Sequence, residues 1–239
     1  MKKVVILGAT GSLGRQALEI LKKYPKDFEV YGITGCTQRG TLKDLGRKFN
    51  VSPERVILAQ NKGSKALEQL AADKKVDIVI NVLSGVVGIG STVTALKSGK
   101  ILLLGNKESL ICEGKKLKKY SKRIIPIDSE HNAIYEILKK FPQKKIKSIT
   151  LPCSGGPLWD KTKQELEKVK IKEVLNHPRW KMGKKILVES ATLINKGMEI
   201  IEAHYLFNLP LSKIKTALHR ECKIHGIVEF TDGNSYCYI

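Results

Sequence analysis

The chain has 239 residues, of which 42% are hydrophobic and 28% charged, a balance that builds a packed core and excludes a disordered chain. Lys and Arg outnumber Asp and Glu by 43 to 23, for a formal charge of +20. The lysines recur through almost every segment, and the basic run Lys115–Lys119 carries no interleaved aromatics. The excess therefore reads as a solvated surface and not as a nucleic-acid platform, which would need rings for bases to stack on.

In chain order, Met1-Lys-Lys3 leads straight into the apolar run Val4–Leu7, a buried strand that leaves no room for a secretory leader. Gly8-Ala-Thr-Gly11-Ser-Leu-Gly14 follows, opening a helix from about Ser12 to Tyr24. Glycines in that context let backbone amides approach a pyrophosphate at the helix N-terminus. A tight turn without ligand is the plainer alternative, and the position at the first strand of an alternating pattern favours dinucleotide binding. Glu29–Ile33 reads as the second strand. NAD-binding chains place a carboxylate near its end for the ribose 2′-hydroxyl. Here the strand runs into Thr34-Gly-Cys-Thr-Gln-Arg39, with no acid and one arginine, which favours NADPH over NADH.

A helix near Leu42–Phe49, a short strand Val56–Leu58 and a helix Ser64–Ala72 come next. Strands Asp77–Val82 and Ile101–Leu104 flank a helix near Thr92–Lys97, and Arg123–Ile127 with a helix near Glu130–Lys140 complete the first part. The uncharged stretch Ile78–Leu96 has the length of a membrane span. Its Asn81, Ser84, glycines, Ser91, Thr92 and Thr94 make it strand, loop and helix instead, so no membrane segment is expected. Strands alternating with helices imply a doubly wound, mostly parallel α/β sheet, Rossmann-like, over residues 1–142.

The pattern changes after Pro142, and residues 143–239 read as an α+β catalytic domain. Ile146–Leu151 is a strand, Lys163–Val169 a polar helix, and Ser190–Phe207 one long helix. Lys223–Phe230 and Ser235–Ile239 pair around Thr231-Asp-Gly-Asn234. In an extended backbone Asp128 and Glu130 point the same way and can face one ion, although an acid or serine before a helix is also an ordinary cap. Thr192, Asn195, Lys196 and Glu199 fall on one helical face. Asp128, Glu130 and Glu199 together would form an all-oxygen site for Mg²⁺ or Mn²⁺. Ser154-Gly-Gly156 offers a hydroxyl and amides to an anion, and His177-Pro-Arg-Trp180-Lys-Met-Gly183 has the residues of a substrate lid. Five cysteines (Cys36, Cys112, Cys153, Cys222, Cys237) show no metal-ligand spacing, as expected of reduced thiols in the cytoplasm.

Taken in order, GATGSLG, GNKESL, IDSEHNAI, SGGP, HPRWKMGKKI, ESATLINKGMEIIEA and KIHGIVEFTDG resemble the 1-deoxy-D-xylulose 5-phosphate reductoisomerase family over nearly the whole chain. The resemblance implies an NADPH- and metal-dependent enzyme that rearranges 1-deoxy-D-xylulose 5-phosphate and reduces it to methylerythritol phosphate, in non-mevalonate isoprenoid synthesis. It implies Asp128, Glu130 and Glu199 as metal ligands, and catalytic roles for Lys107, Glu130 and His177. Substrate contacts would be Lys107, Ser129, Glu130, Ser154, His177, Trp180, Ser190, Asn195, Lys196 and Glu199. Cofactor contacts would be Thr10, Gly11, Ser12, Leu13, Asn106, Glu108 and Gly183, with Cys36, Thr37 and Gln38 after the second strand. The resemblance also implies a homodimer, and a chain that stops before the family's C-terminal helical domain. Two departures stand out. Cys36-Thr-Gln38 replaces a Gly, a polar or basic residue and Asn, and His219-Arg-Glu-Cys222 replaces His-Pro-Gln-Ser. A truncated, weakly active or inactive homologue that only binds nucleotide is the alternative reading.

Overall fold

Short apolar runs alternating with helices become a six-stranded, all-parallel sheet in the computed structural model of the chain, which describes residues 1–176 and 183–239. Its strands are β1 (Lys2–Leu7), β2 (Phe28–Gly35), β3 (Val56–Leu58), β4 (Ile78–Asn81), β5 (Ile101–Leu104) and β6 (Ile124–Pro126), in the order β3-β2-β1-β4-β5-β6. Parallel neighbours need a crossover connection. Here the crossovers carry α1 (Ser12–Lys23), α2 (Arg39–Lys48), α3 (Ala59–Ala72, kinked at Gly63), α4 (Ile89–Lys97) and α5 (Lys107–Leu117). Val4–Leu7 are wholly buried, because a central strand covered on both faces shows a continuous apolar run and no alternation. Leu18, Leu21 and Leu42 of the helices pack with Val4, Ile6, Ile33 and Ile80 of the strands. The strand order reverses between β1 and β4, and ligands of such sheets bind beyond the carboxyl ends at that reversal.

The stretch Ile78–Leu96 is β4, a 3₁₀ turn at Val86–Gly88 and most of α4. No helix among the described residues is long and apolar enough to cross a membrane. The sequence pattern did not anticipate α5. Its buried positions include Lys107, Ser109 and Gly114 beside Leu110 and Leu117, so the apolar period that marks a helix is diluted.

The second sheet has four strands, β7 (Ile146–Cys153), β8 (Ile214–Leu218), β9 (Gly226–Phe230) and β10 (Ser235–Tyr238), in the order β10-β9-β7-β8. β7 and β8 are parallel, and β9 runs antiparallel to β7 and β10. The chain forms two compact units, Met1–Asp128 and Ser129–Ile239, a division one helix earlier than the 142/143 boundary of the sequence reading. The reason is α6 (Ser129–Lys140), whose Ile134 and Ile137 pack with Ile149, Leu151, Val228 and Phe230 of the second sheet. β8 was not anticipated, because only its first residue is buried.

Two helical expectations are corrected. The polar helix near Lys163–Val169 is a single turn, α7 (Lys163–Leu166), closed by a Thr162–Glu165 capping box and followed by α8 (Ile171–Val174). The long helix is two, α9 (Lys184–Ala191) and α10 (Ile194–Leu206). Between them Leu193 is left-handed (φ +59°), and the Thr192 hydroxyl donates to Val188 O at 2.9 Å. Thr192 therefore leaves the polar face that Asn195, Lys196 and Glu199 share.

Two expectations follow for stability. Gly14 sits where a Cβ would lie 2.3 Å from Gly8 O and 2.7 Å from Ala9 Cα. Gly14→Ala gains helix propensity but must push α1 off the turn, for a net loss of about 1–3 kcal/mol, read as a lower denaturation midpoint. In the β9–β10 turn, the Lys144 ammonium (2.7 Å) and the Asn234 amide hold Asp232 at a pKa of about 2. A depressed carboxyl stabilises the fold above its unfolded value, and that support is lost as pH falls through about 2. Asp232→Asn should thus lower stability at pH 7 and leave it unchanged near pH 1, in paired denaturation curves.

Candidate active site

The first candidate region lies at the carboxyl ends of β1 and β2. The Gly8 and Ala9 amides donate to Thr34, to its Oγ1 at 3.2 Å and its carbonyl at 2.8 Å, which ties the turn after β1 to β2. Gly8 has φ +98°, and a Cβ there would meet the Val82 carbonyl at 2.9 Å. Gly11 precedes α1 in an extended conformation, with no side chain capping the helix. The first-turn amides thus have no side-chain acceptor in the way, as an anion-binding helix start requires. Gly11, Ser12 and Leu13 are exposed and Thr10 is half-buried. Gly35 lets the Thr10 methyl approach to 3.2 Å of where its Cβ would be. The half-buried Cys36 and the exposed Thr37 and Gln38 therefore continue from a strand end that adjoins the glycine turn, and Arg39 opens α2.

Asn106 and Glu108 are placed differently from simple surface contacts. Asn106 is fully buried, and its amide donates to Leu83 O (2.7 Å), Gly85 O (2.9 Å) and Glu108 Oε2 (3.1 Å). Glu108 Oε1 accepts from the Gly85 amide at 2.9 Å. Ser109 Oγ bridges Asn106 Oδ1 (2.5 Å) and Thr92 Oγ1 (2.9 Å), and Asn81 donates to Thr92 Oγ1 (2.8 Å) and Gly88 O (2.9 Å). Asn81 and Thr92, which the sequence marks only as polar breaks in an apolar stretch, and Ser109, which it does not mark, are all wholly buried. The available signal was an asparagine ending an otherwise apolar strand. The network fixes the 83–88 loop at the switch in strand order. At the N-terminus of α5, Lys107 Nζ reaches Asp128 Oδ2 at 2.7 Å, the two side chains 11% and 20% exposed.

The second unit holds a buried cluster of charges. Lys196 Nζ donates to Glu130 Oε1 (2.7 Å) and Pro152 O (2.7 Å) and pairs with Glu199. Glu199 Oε1 also accepts from the Asn195 amide, and Ser129 Oγ donates to Glu130 Oε2 at 2.6 Å. Burial alone would lower the Lys196 pKa, but the Glu199 and Glu130 charges and hydrogen bonds outweigh it and hold the ammonium above its ordinary value. Glu130 and Glu199 oxygens lie within 4.8 Å of one another, a spacing two ligands of one cation can use. His131, which the sequence reading did not single out, is fully buried. Its Nε2 lies 2.9 Å from Glu199 O and 3.8 Å from Glu202, and its ring stacks on Phe207.

Ser154 and Ser190 belong to neighbouring segments of the same unit. A Cβ on Gly156 would be 2.9 Å from Ser190 O, so only glycine lets the turn after β7 lie against the end of α9. Gly183 precedes α9, extended and exposed. His177 and Trp180 lie outside the described residues.

These features define a class, a Rossmann-like α/β unit with an open glycine turn, in one chain with an α+β unit built on a buried acid–ammonium cluster. The family model described as 1-deoxy-D-xylulose 5-phosphate reductoisomerase matches residues 4–62 and 52–114, and that of its C-terminal domain matches residues 124–207. The 1-deoxy-D-xylulose 5-phosphate reductoisomerase of Thermodesulfovibrio yellowstonii is 41% identical over 98% of this chain and 66% of its own length. That of a Sulfurihydrogenibium species is 43% identical over 98% of this chain and 64% of its own. A crystal structure of DOX-P reductoisomerase in complex with NADPH, fosmidomycin and magnesium is similar with a TM-score of 0.88 and 33% identity, over 100% of this chain and 66% of that one. The chain belongs to the 1-deoxy-D-xylulose 5-phosphate reductoisomerase family and spans 64–66% of the length of these relatives.

The buried ammonium has a measurable consequence. Lys196→Met leaves Glu199, 1% exposed, without its cation. Removing one partner of a buried pair costs about 3–5 kcal/mol, so the variant should unfold at markedly lower denaturant at pH 7. A raised lysine pKa keeps this support intact at neutral pH and loses it as pH rises through the folded value. The gap between variant and wild type should narrow in strongly alkaline solution.

Proposed function

We propose that this chain binds NADPH and a divalent cation, magnesium or manganese, and acts as an NADP-dependent oxidoreductase on 1-deoxy-D-xylulose 5-phosphate. The product would be 2-C-methyl-D-erythritol 4-phosphate, within non-mevalonate isoprenoid synthesis. The observation that carries the reading is the Glu130–Lys196–Glu199 cluster, in which a buried acid and a half-buried one share a single buried ammonium. Replacing such a group with apolar residues usually leaves a fold as stable or more so. Its presence therefore speaks for a charge-handling task, and family membership names the task.

The residues fit both groups. The missing Cβ atoms of Gly8 and Gly14 shape a turn with uncapped amides suited to a pyrophosphate, with Thr10, Gly11, Ser12 and Leu13 around it. Cys36, Thr37 and Gln38 would meet the adenosine end, Asn106 and Glu108 would hold the adjoining loop, and Gly183 would complete the contacts. Asp128, Glu130 and Glu199 would hold the cation through oxygens alone, as hard ions prefer. When bound, the cation supplies Lewis-acid polarisation of substrate oxygens, and NADPH supplies hydride. Lys107, already an ammonium beside Asp128, would steady a substrate oxygen and its developing charge. Ser129 would orient Glu130 or touch substrate. Ser154, Ser190, Asn195 and Lys196 would grip the phosphate, and the resemblance assigns His177 to substrate binding and catalysis and Trp180 to the flap.

Mixing the chain with NADPH, Mn²⁺ or Mg²⁺ and 1-deoxy-D-xylulose 5-phosphate should oxidise NADPH. Turnover that survives exhaustive chelation would overturn the metal assignment, and nucleotide binding without any turnover would favour the weakly active homologue. Glu199→Gln keeps shape and removes charge, so it should nearly abolish turnover while NADPH still binds. With no acid after β2, NADPH should bind more tightly than NADH, and equal dissociation constants would refute that preference.

Two further elements belong to this reading. β10 is an edge strand of its sheet, and an unpaired edge recruits another chain, here a second copy in a homodimer. Sedimentation of a strict monomer would refute the dimer. The five cysteines form no disulfide, which supports a reducing, cytoplasmic setting.

A further inference from the structure

Asn81, Thr92, Asn106 and Ser109 are wholly buried behind the loop that follows β4, and the direction of each hydrogen bond between them is forced. Asn81 Oδ1 accepts from the Leu83 amide at 3.2 Å, so Nδ2 is the atom that faces Gly88 O and Thr92 Oγ1. Asn106 is oriented in the same way. Its Nδ2 meets the carbonyls of Leu83 and Gly85, which only accept, so Oδ1 is the atom turned to Ser109. An amide oxygen has no proton to give, and the serine hydroxyl has one. Ser109 therefore donates to Asn106 Oδ1, and Thr92, which accepts from Asn81, donates to Ser109 Oγ at 2.9 Å. The hydrogen bonds run one way, from Asn81 through Thr92 and Ser109 to Asn106.

Both ends of this relay grip one loop. Asn81 holds the Leu83 amide and the Gly88 carbonyl, Asn106 holds the Leu83 and Gly85 carbonyls, and Glu108 takes the Gly85 amide. The loop adjoins the glycine turn, since a Cβ on Gly8 would lie 2.9 Å from Val82 O and 3.1 Å from Leu83 N. It presents an apolar side chain outward, Val86, 74% exposed. β1 lies between β2 and β4. A dinucleotide with its pyrophosphate at the start of α1 and its adenosine at the β2 end therefore carries its other half over the loop after β4. We propose that Thr92 and Ser109 are positioning residues for the nicotinamide half of a bound NADPH, acting through the two asparagines on the shape of the 83–88 loop. Without the Ser109 hydroxyl, Asn106 Oδ1 loses its donor. Turning the amide over gives no relief, because the oxygen would then face two carbonyls. Thr92→Val leaves one Asn81 hydrogen buried without its acceptor, an unfavourable state relieved by releasing the loop.

This inference rests on the NADPH reading, and its test separates the two. The whole chain is titrated calorimetrically with NADPH and with adenosine 2′,5′-bisphosphate, which keeps the 2′-phosphate and lacks the nicotinamide half. The variants are Ser109→Ala, Thr92→Val and Thr92→Ser. A loop that holds its competent shape a tenth of the time gives about tenfold weaker affinity. Ser109→Ala and Thr92→Val should lose about that much for NADPH and keep wild-type affinity for the bisphosphate, whereas Thr92→Ser, which retains the hydroxyl, should match wild type for both. Without ligand, amides of residues 83–88 should exchange hydrogen faster in the first two variants, with exchange in α1 unchanged. An equal loss for both ligands overturns the proposal, since it would mean general loosening. Wild-type NADPH affinity in Ser109→Ala also overturns it, as does a Thr92→Ser chain as weak as Thr92→Val. If Ser109→Ala fails to fold, Thr92→Val against Thr92→Ser decides the matter. A wild-type chain that binds neither ligand removes the NADPH reading and this inference with it. A selective loss of NADPH in a chain without turnover leaves this inference standing and removes the proposed activity.

Discussion

In the second unit one ammonium joins three elements that are distant in sequence. Lys196 projects from α10, meets Glu130 on α6 and Glu199 on its own helix, and reaches the Pro152 carbonyl in β7. Taking these charges out of water is unfavourable unless each finds its opposite with good geometry. The positions of α6, β7 and α10 are therefore mutually constrained, because a shift of any one strands a buried charge. His131 adds a further tie between α6 and the backbone of α10. The resulting frame is stiff where a candidate cation site needs it to be. Ligands held within narrow limits discriminate between ions by size and coordination number.

Both units solve a second problem in the same way. A backbone must come closer to another backbone than any side chain allows, and a glycine is placed at the contact. In the first unit Gly14 meets Gly8, which brings the start of α1 against the end of β1. In the second, Gly156 meets Ser190 and Ala191, which brings the turn after β7 against α9. Close approach exposes main-chain N–H groups in defined directions, and anionic groups are recognised through such directions. The two glycine turns thus share one local geometry on unrelated scaffolds.

Much of this was legible in the sequence because the relevant signals are local. Val4–Leu7 followed by a glycine run needs no tertiary information to be read as a strand and a phosphate-type turn. The β9–β10 hairpin announces itself through Asp232-Gly-Asn234. What escaped depends on partners far away in the chain. α5 hides its period because Lys107 and Ser109 are buried for their hydrogen bonds and not for their apolarity. β8 has a single buried residue, so its strand character comes from pairing with β7. The break between α9 and α10 falls in an unbroken helical period, since Leu193 is a good helix former in a left-handed state that local propensity does not anticipate. Glu199 and Lys196 of the cluster were readable as a stripe, whereas His131 beside them and Asn81 in the first unit were not, because a polar residue's burial appears only once its partners are in place.

Leu193 carries a consequence for how the chain tolerates change. A left-handed conformation disfavours a leucine by roughly 1–2 kcal/mol, and at 52% exposure this side chain recovers little of that through burial. Glycine, or asparagine, occupies such a joint with less strain. The position is thus an unused stability reserve: a single exchange there would offset an average destabilising mutation elsewhere, and so widen the range of sequences that the second unit can explore without unfolding.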